Sequence, residues 1–111
     1  MAQHMPQSLA MRRCSLIQNR SRLEWLAARL IDRVVSTDPG IEEGVVMTLE
    51  KMPYRRLDSG GRALCYIRVR PTKRVVRIDL PWPIAQSLFV SSEEEVEGMA
   101  MQVIAFARRM R

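Results

Sequence analysis

The sequence is poor in histidine, cysteine and aromatic residues, and each shortage excludes a kind of chemistry. Its single histidine, His4, lies in an N-terminal stretch without hydrophobic periodicity. The body of the chain therefore has no histidine for a Ser-His-Asp set, a Cys-His pair or a zinc site. Cys14 and Cys65 form no Cys-x-x-Cys pair and have apolar neighbours, which predicts two reduced, buried thiols. We predict no catalytic residue, no metal, no cofactor and no enzymatic activity.

Long hydrophobic runs are also missing. No apolar stretch approaches the roughly 20 residues that a membrane-spanning helix needs, and the N-terminal region lacks the apolar centre of a signal peptide. We expect a cytoplasmic protein with no membrane partner. A length of 111 residues fits one hydrophobic core. We therefore predict a flexible tail over residues 1–7 and a single α+β domain over residues 8–111.

Positive charge is what the chain has in excess. Sixteen arginines and two lysines stand against twelve acidic residues, which gives a net charge of +6. Arginine pairs with phosphate or carboxylate through two parallel hydrogen bonds and stacks on aromatic rings. The chain is therefore a candidate for anionic partners, of which RNA or DNA is one.

Hydrophobic residues first recur at helical spacing. The pattern over residues 8–18 predicts a short helix, and Ser21 with Glu24 forms a capping-box motif that predicts the start of a second helix. The second helix carries one apolar stripe. It is expected to end near Ser36, before a sequence with a proline and a glycine that favours a turn.

The middle of the chain changes to the two-residue period of strands. We predict a strand over residues 45–52, a mobile loop over residues 54–62 and a β-hairpin over residues 63–80. The expected register of the hairpin pairs Val69 with Val76, Ile67 with Ile78 and Arg68 with Arg77. One face of the hairpin is then apolar and the other is basic.

The C-terminal part predicts a short helical turn over residues 84–90 and then a long helix. Two overlapping capping boxes mark the start of that helix, Ser91 with Glu94 and Ser92 with Glu95. Acidic residues at its start and arginines at its end oppose the helix dipole. The combined expectation is an α+β fold of order α-α-β-β-β-α, in which helices cover one face of a three-stranded antiparallel sheet.

Two surfaces are candidates for function. A basic surface on the hairpin and the preceding loop is expected to contact anions or nucleic acid, and it comprises Arg55, Arg56, Tyr66, Arg68, Arg70, Lys73, Arg74 and Arg77. An apolar surplus is expected to contact protein, and it comprises Trp82, Phe89, Met99, Val103, Phe106 and Met110. Each has a plain alternative: the arginines form a solvated face that acids partly neutralise, and the apolar groups form ordinary core.

The missing catalytic groups and the apolar surplus favour a non-catalytic protein-interaction module, such as an adaptor, an inhibitor or a regulatory subunit. It would form a homodimer or bind another protein. The alternative is a nucleic-acid-binding protein that uses the basic β-hairpin. A small-molecule or enzymatic role would need a deep pocket near Tyr54, Tyr66 and Trp82.

Overall fold

The computed structural model describes the backbone of residues 9–44 and 54–110, and the side chains of these segments from residue 15 onward. The predicted tail over residues 1–7, the predicted strand over residues 45–52 and the Cys14 side chain lie outside these described residues. The elements are α1 (Leu9–Thr37), β1 (Ile41–Gly44), β2 (Arg55–Ser59), β3 (Arg62–Arg70), β4 (Val75–Leu80), β5 (Gln86–Val90), a 3-10 turn (Glu93–Glu95) and α2 (Val96–Met110). Neither described helix is long and apolar enough to cross a membrane.

The first helix is continuous, so the prediction of two helices with a break before Ser21 is wrong. No glycine or proline interrupts residues 8–38, and asparagine and serine cost little within a helix that packing stabilises. The Ser21 and Glu24 motif therefore lies inside α1. The helix ends as predicted, where the Gly40 amide donates a hydrogen bond to Asp38 Oδ1 at 2.9 Å and forms a local turn.

The sheet has five antiparallel strands in the order β1-β2-β3-β4-β5, so the predicted three-stranded sheet and its order α-α-β-β-β-α are wrong. The observed order is α-β-β-β-β-β-α. The predicted mobile loop over residues 54–62 is strand β2 followed by a tight turn, in which Gly60 and Gly61 have φ of 60° and 79°. Glycine supplies the positive φ that such a two-residue turn requires. The predicted helical turn over residues 84–90 is strand β5.

The predicted β-hairpin is confirmed, with its register. Strands β3 and β4 pair Val69 with Val76, Ile67 with Ile78 and Arg68 with Arg77. The alternation of small apolar and basic residues fixes this register, because a one-residue slip would turn the arginines toward the core.

The two faces of the sheet differ in what covers them. The row Ile67, Ile78 and Leu88 is buried, and it faces the layer that contains α1 and α2. We call this the helix face. The neighbouring row, Arg68, Arg77 and Phe89, lies on the opposite side, which we call the open face. Cys65 is a fully buried free thiol, as predicted, and burial raises its pKa to about 12.

The two helices run in the same direction along each other. Arg29 donates to Glu93 at 3.2 Å, and one turn later Arg33 binds Glu97 with contacts of 2.6 and 2.7 Å. On α1 the buried stripe begins only at Leu23, and Leu16 and Ile17 are exposed. The N-terminal part of α1 therefore extends beyond the core.

The last helix begins as predicted. The Glu95 carboxylate accepts hydrogen bonds from the backbone amides of Ser91 at 2.9 Å and Ser92 at 3.0 Å. These bonds, together with those from the two serine hydroxyls, lower the pKa of Glu95. Of the two predicted capping boxes, the one with Ser92 and Glu95 thus supplies the acceptor that the helix start needs.

Candidate interaction surfaces

The open face is organised around Asp79. Its Oδ1 accepts a hydrogen bond from Arg77 Nε at 2.6 Å and another from Ser87 Oγ at 2.7 Å. Arg68 Nε lies 3.7 Å from the other carboxylate oxygen. Burial alone would raise the pKa of Asp79, but the hydrogen bonds from Ser87 and Arg77 and the two positive charges lower it overall. The two guanidinium groups that face each other across β3 and β4 are therefore held by one shared acid.

A second set of ion pairs lies at β1 and β2, one of them between the two strands and one within β2. Arg55 binds the Glu43 carboxylate through two contacts of 2.6 and 2.7 Å, and this pairing lowers the pKa of Glu43. Arg56 binds Asp58 in the same forked geometry, at 2.7 and 2.8 Å. Gly44 lies directly opposite Arg56, and a side chain there would clash with the Asp58 carboxylate. These arginines are structural partners of acids.

The predicted basic surface is therefore divided by the structure. Four of its arginines, Arg55, Arg56, Arg68 and Arg77, lie within ion-pair distance of carboxylates. Tyr66 packs its ring edge-on against Tyr54, with ring centroids 5.4 Å apart. Arg55 pairs with Ile67, so it lies on the helix face rather than among the open-face arginines. Of the cations of this surface, those at the β3–β4 end, Arg70, Lys73 and Arg74, have no acidic partner within the described residues.

The far edge of the sheet has a different character. Strand β5 is outermost in the strand order and contains no charged residue. Phe89 on its open face is 52% exposed, and the preceding turn carries Trp82 at 85% and Ile84 at 38%. Exposed apolar groups beside an unprotected strand edge are typical of contact surfaces.

The helix layer continues this apolar character. Glu97 binds Arg33, and Arg108 lies 3.9 Å from Asp38, so this flank of α2 faces α1. With 3.6 residues per turn, three half-buried apolar residues fall on the opposite flank of α2: Met99, Phe106 and Met110.

Helix α2 follows β5 in the chain after a short 3-10 turn, and it packs against α1. Arg22, on the side of α1 that meets α2, donates to the backbone carbonyl of Ser91 just beyond β5, at 3.0 Å. We call the combined surface the β5 side, and it comprises strand β5 with Trp82, Ile84, Phe89, Met99, Phe106 and Met110.

Most of the predicted apolar surplus maps to the β5 side. Trp82 and Phe89 are exposed, while Met99, Phe106 and Met110 are half-buried at its helix layer. Val103 is fully buried and belongs to the core. Sequence reasoning missed Ile84 and the uncharged strand edge, because residues 84–90 were assigned to a helical turn. The available signal was the short apolar run Leu88-Phe89-Val90, which contains the strand-favouring residues Phe89 and Val90.

Two cavities lie among the described residues. A groove of about 630 Å³ between α1 and α2 is lined by the Arg29–Glu93 and Arg33–Glu97 pairs. A pocket of about 260 Å³ contains Tyr54 but neither Tyr66 nor Trp82, so it does not unite the three aromatic residues that a predicted small-molecule pocket would need. Within the part of the chain that the structure describes, no three histidine, cysteine or acidic side chains are grouped to hold a metal.

Comparisons with protein-family models, with curated proteins and with solved structures find no match.

Proposed function

We propose that the protein is a non-catalytic protein-interaction module that associates with itself through the β5 side. The observation that carries this proposal is the combination of an uncharged outer strand with Trp82, Ile84 and Phe89 exposed beside it. Soluble proteins usually protect such an edge with charge, proline or a covering element. An adaptor, an inhibitor or a regulatory subunit would use a surface of this kind.

The two exposed aromatic side chains supply part of the apolar area that a specific interface buries. Buried aromatic side chains cover about 150–250 Å² each, so the exposed parts of Trp82 and Phe89 in two copies offer on the order of 600 Å². At about 25 cal/mol per Å², complete burial is worth roughly 15 kcal/mol as an upper limit. Loss of translational and rotational freedom costs about 4–15 kcal/mol. Because this gain and this cost are of similar size, hydrogen bonds and packing at the contact decide how tightly the two copies bind.

Nucleic-acid binding remains a prediction with weaker support. The face that was expected to contact phosphate has its central arginines occupied by Asp79, and Arg56 is occupied by Asp58. A phosphate would have to compete with these carboxylates. Arg70, Lys73 and Arg74 at the β3–β4 end have no acidic partner within the described residues. Three such cations are also common at the solvent-exposed tip of a hairpin that binds nothing.

The test is the molar mass in solution. Light scattering after gel filtration, over a concentration series, is expected to show the mass of two 12.8 kDa chains for the wild type. Phe89→Glu should raise the dimer dissociation constant at least tenfold, about 1.4 kcal/mol, because a carboxylate would lose its hydration in the contact.

The matched control is Ile17→Glu, which places the same charge at a 64% exposed residue on the extended part of α1. It should leave the dissociation constant unchanged. A one-chain mass for the wild type at every concentration, or dissociation by Ile17→Glu but not by Phe89→Glu, would contradict the proposal.

A further inference from the structure

We infer that the partner at the β5 side is the same strand of a second copy, paired antiparallel across a two-fold axis that passes near Leu88. The two five-stranded sheets then join into one continuous sheet. This inference rests on the proposed function, because it specifies how the self-association is made.

The backbone of β5 is arranged for such pairing. In an antiparallel sheet, successive residues direct their N–H and C=O groups to alternate neighbours. Arg70 and Val75 are the pair next to the β3–β4 turn, so the backbone groups of Val75 point toward β3. Because the direction alternates along β4, the backbone groups of Ile78 point toward β5. The backbone groups of Leu88, which pairs with Ile78, therefore point toward β4. The backbone groups of Ser87 and Phe89 therefore point away from β4. No strand of the described segments lies on that side.

The register that pairs all five residues of β5 with their counterparts in a second copy places the two-fold axis at Leu88. With the axis at Leu88, Ser87 of one copy faces Phe89 of the other, and these residues exchange the outward backbone hydrogen bonds. Both Phe89 rings then lie on the open face, and both Leu88 side chains lie on the helix face. This arrangement is isologous, so it closes at two copies.

Charge favours a second copy as the occupant. The chain carries +6 overall, so a contact between copies must avoid its arginines. Strand β5 has no charged residue, and two copies meet there without opposing like charges. In the helix layer the Arg109 guanidinium lies over the Phe106 ring, 5.5 Å from its centre, so the uncharged contact is made by the strand layer.

A single cysteine on the axis tests the register. In a Cys14→Ser background, Leu88→Cys should form an interchain disulfide under mild oxidation, because directly opposed residues without mutual hydrogen bonds have Cα atoms about 4.5 Å apart. The control is Gln86→Cys, on the same strand, which faces position 90 of the second copy and should remain uncrosslinked.

Amide hydrogen exchange of the wild type tests the same pairing without a mutation. The Phe89 amide should exchange at least tenfold more slowly at concentrations where the dimer forms than in dilute monomer, while amides of β1 should not change. This measurement decides the matter if Leu88→Cys does not fold. A two-chain mass with a Phe89 amide that stays unprotected would overturn the strand pairing and leave the proposed function standing. A one-chain mass at all concentrations would overturn both.

Discussion

The two edge strands of the sheet, β1 and β5, differ in charge and therefore in how readily each can pair with another strand. Strand β1 is four residues long, and two of them, Glu42 and Glu43, are acidic and exposed. Strand β5 is five residues long, carries no charge and exposes Phe89. Every sheet edge offers unpaired backbone groups, and charge is a common protection against unwanted pairing. The difference indicates that one edge is protected from pairing and the other is available for it.

The neighbourhood of each edge follows the same division. Next to β1, two arginines bind acids in forked ion pairs, Arg55 with Glu43 and Arg56 with Asp58. Next to β5, Trp82, Ile84 and Phe89 are exposed apolar groups, and Met99, Phe106 and Met110 of the helix layer are half-buried. Polar residues near β1 thus stabilise the monomer, whereas apolar residues near β5 remain only partly buried within it.

The largest expected effect concerns the core beneath the two edges. Leu57 on β2 is fully buried, whereas Leu88 on β5 is 9% exposed. We expect Leu57→Ala to lower the free energy of unfolding by about 2–5 kcal/mol and Leu88→Ala to fall at the lower end of that range, since its site can collapse toward the edge. Urea unfolding at low protein concentration measures both. An equal or larger loss for Leu88→Ala in the monomer would show that the β5 edge is already fully packed.

A smaller effect is expected at the acid that links β4 to β5. Asp79→Asn should cost about 1–3 kcal/mol at pH 7, because Arg68 and Arg77 lose their shared partner. The pKa of Asp79 lies below its ordinary value of 3.8 in the folded protein. Its contribution is therefore complete above that value and is lost as the pH falls through the lower folded pKa.

Unfolding measured at pH 7 and again near pH 3 checks this sign. The difference between wild type and Asp79→Asn should shrink at the acidic pH. Ser87→Ala removes one hydrogen bond to the same carboxylate and should lose about 1 kcal/mol. A difference that grows on acidification would show that Asp79 is not held as a carboxylate.

The smallest effect on the free energy of unfolding is expected at β1. Substitutions there nevertheless test the difference between the two edge strands most directly. Glu42→Thr with Glu43→Thr should change the free energy of unfolding by less than about 1 kcal/mol, because the Glu43–Arg55 pair is partly exposed. Removing the charge should nevertheless create a second edge that can pair. Chains with two such edges should form species larger than a dimer, visible by light scattering.

The control for net charge is Glu24→Thr with Glu94→Thr, which removes the same charge from exposed helical positions. It should stay at the wild-type mass. If both double variants grow to the same extent, total charge rather than edge protection limits assembly.

The sequence predicted those elements whose local pattern agrees with their neighbours. The β3–β4 hairpin has alternating Ile and Val around a proline-containing turn, and its register follows from side-chain period alone. The start of α2 is marked by serines followed by glutamates, and Glu95 makes the expected contacts. In these segments local preference and tertiary packing favour the same structure.

The missed elements depend on partners distant in sequence. Strand β2 has one apolar residue, Leu57, and it forms because β1 and β3 pair with it on both sides. The break predicted before Ser21 followed a capping motif that packing overrides. The position of the candidate surfaces was equally hidden, because only the strand order and the side-chain contacts show that Phe89 lies at an edge and that Asp79 is shared by two arginines.

The buried thiol of Cys65 can serve as a probe of how the core opens. At a pKa of about 12 and with no exposed surface, it presents almost no thiolate to an alkylating reagent at neutral pH. Labelling must then wait for the surrounding strands to separate. In a chain without Cys14, the rate of labelling therefore reports the rate at which the core around Cys65 opens.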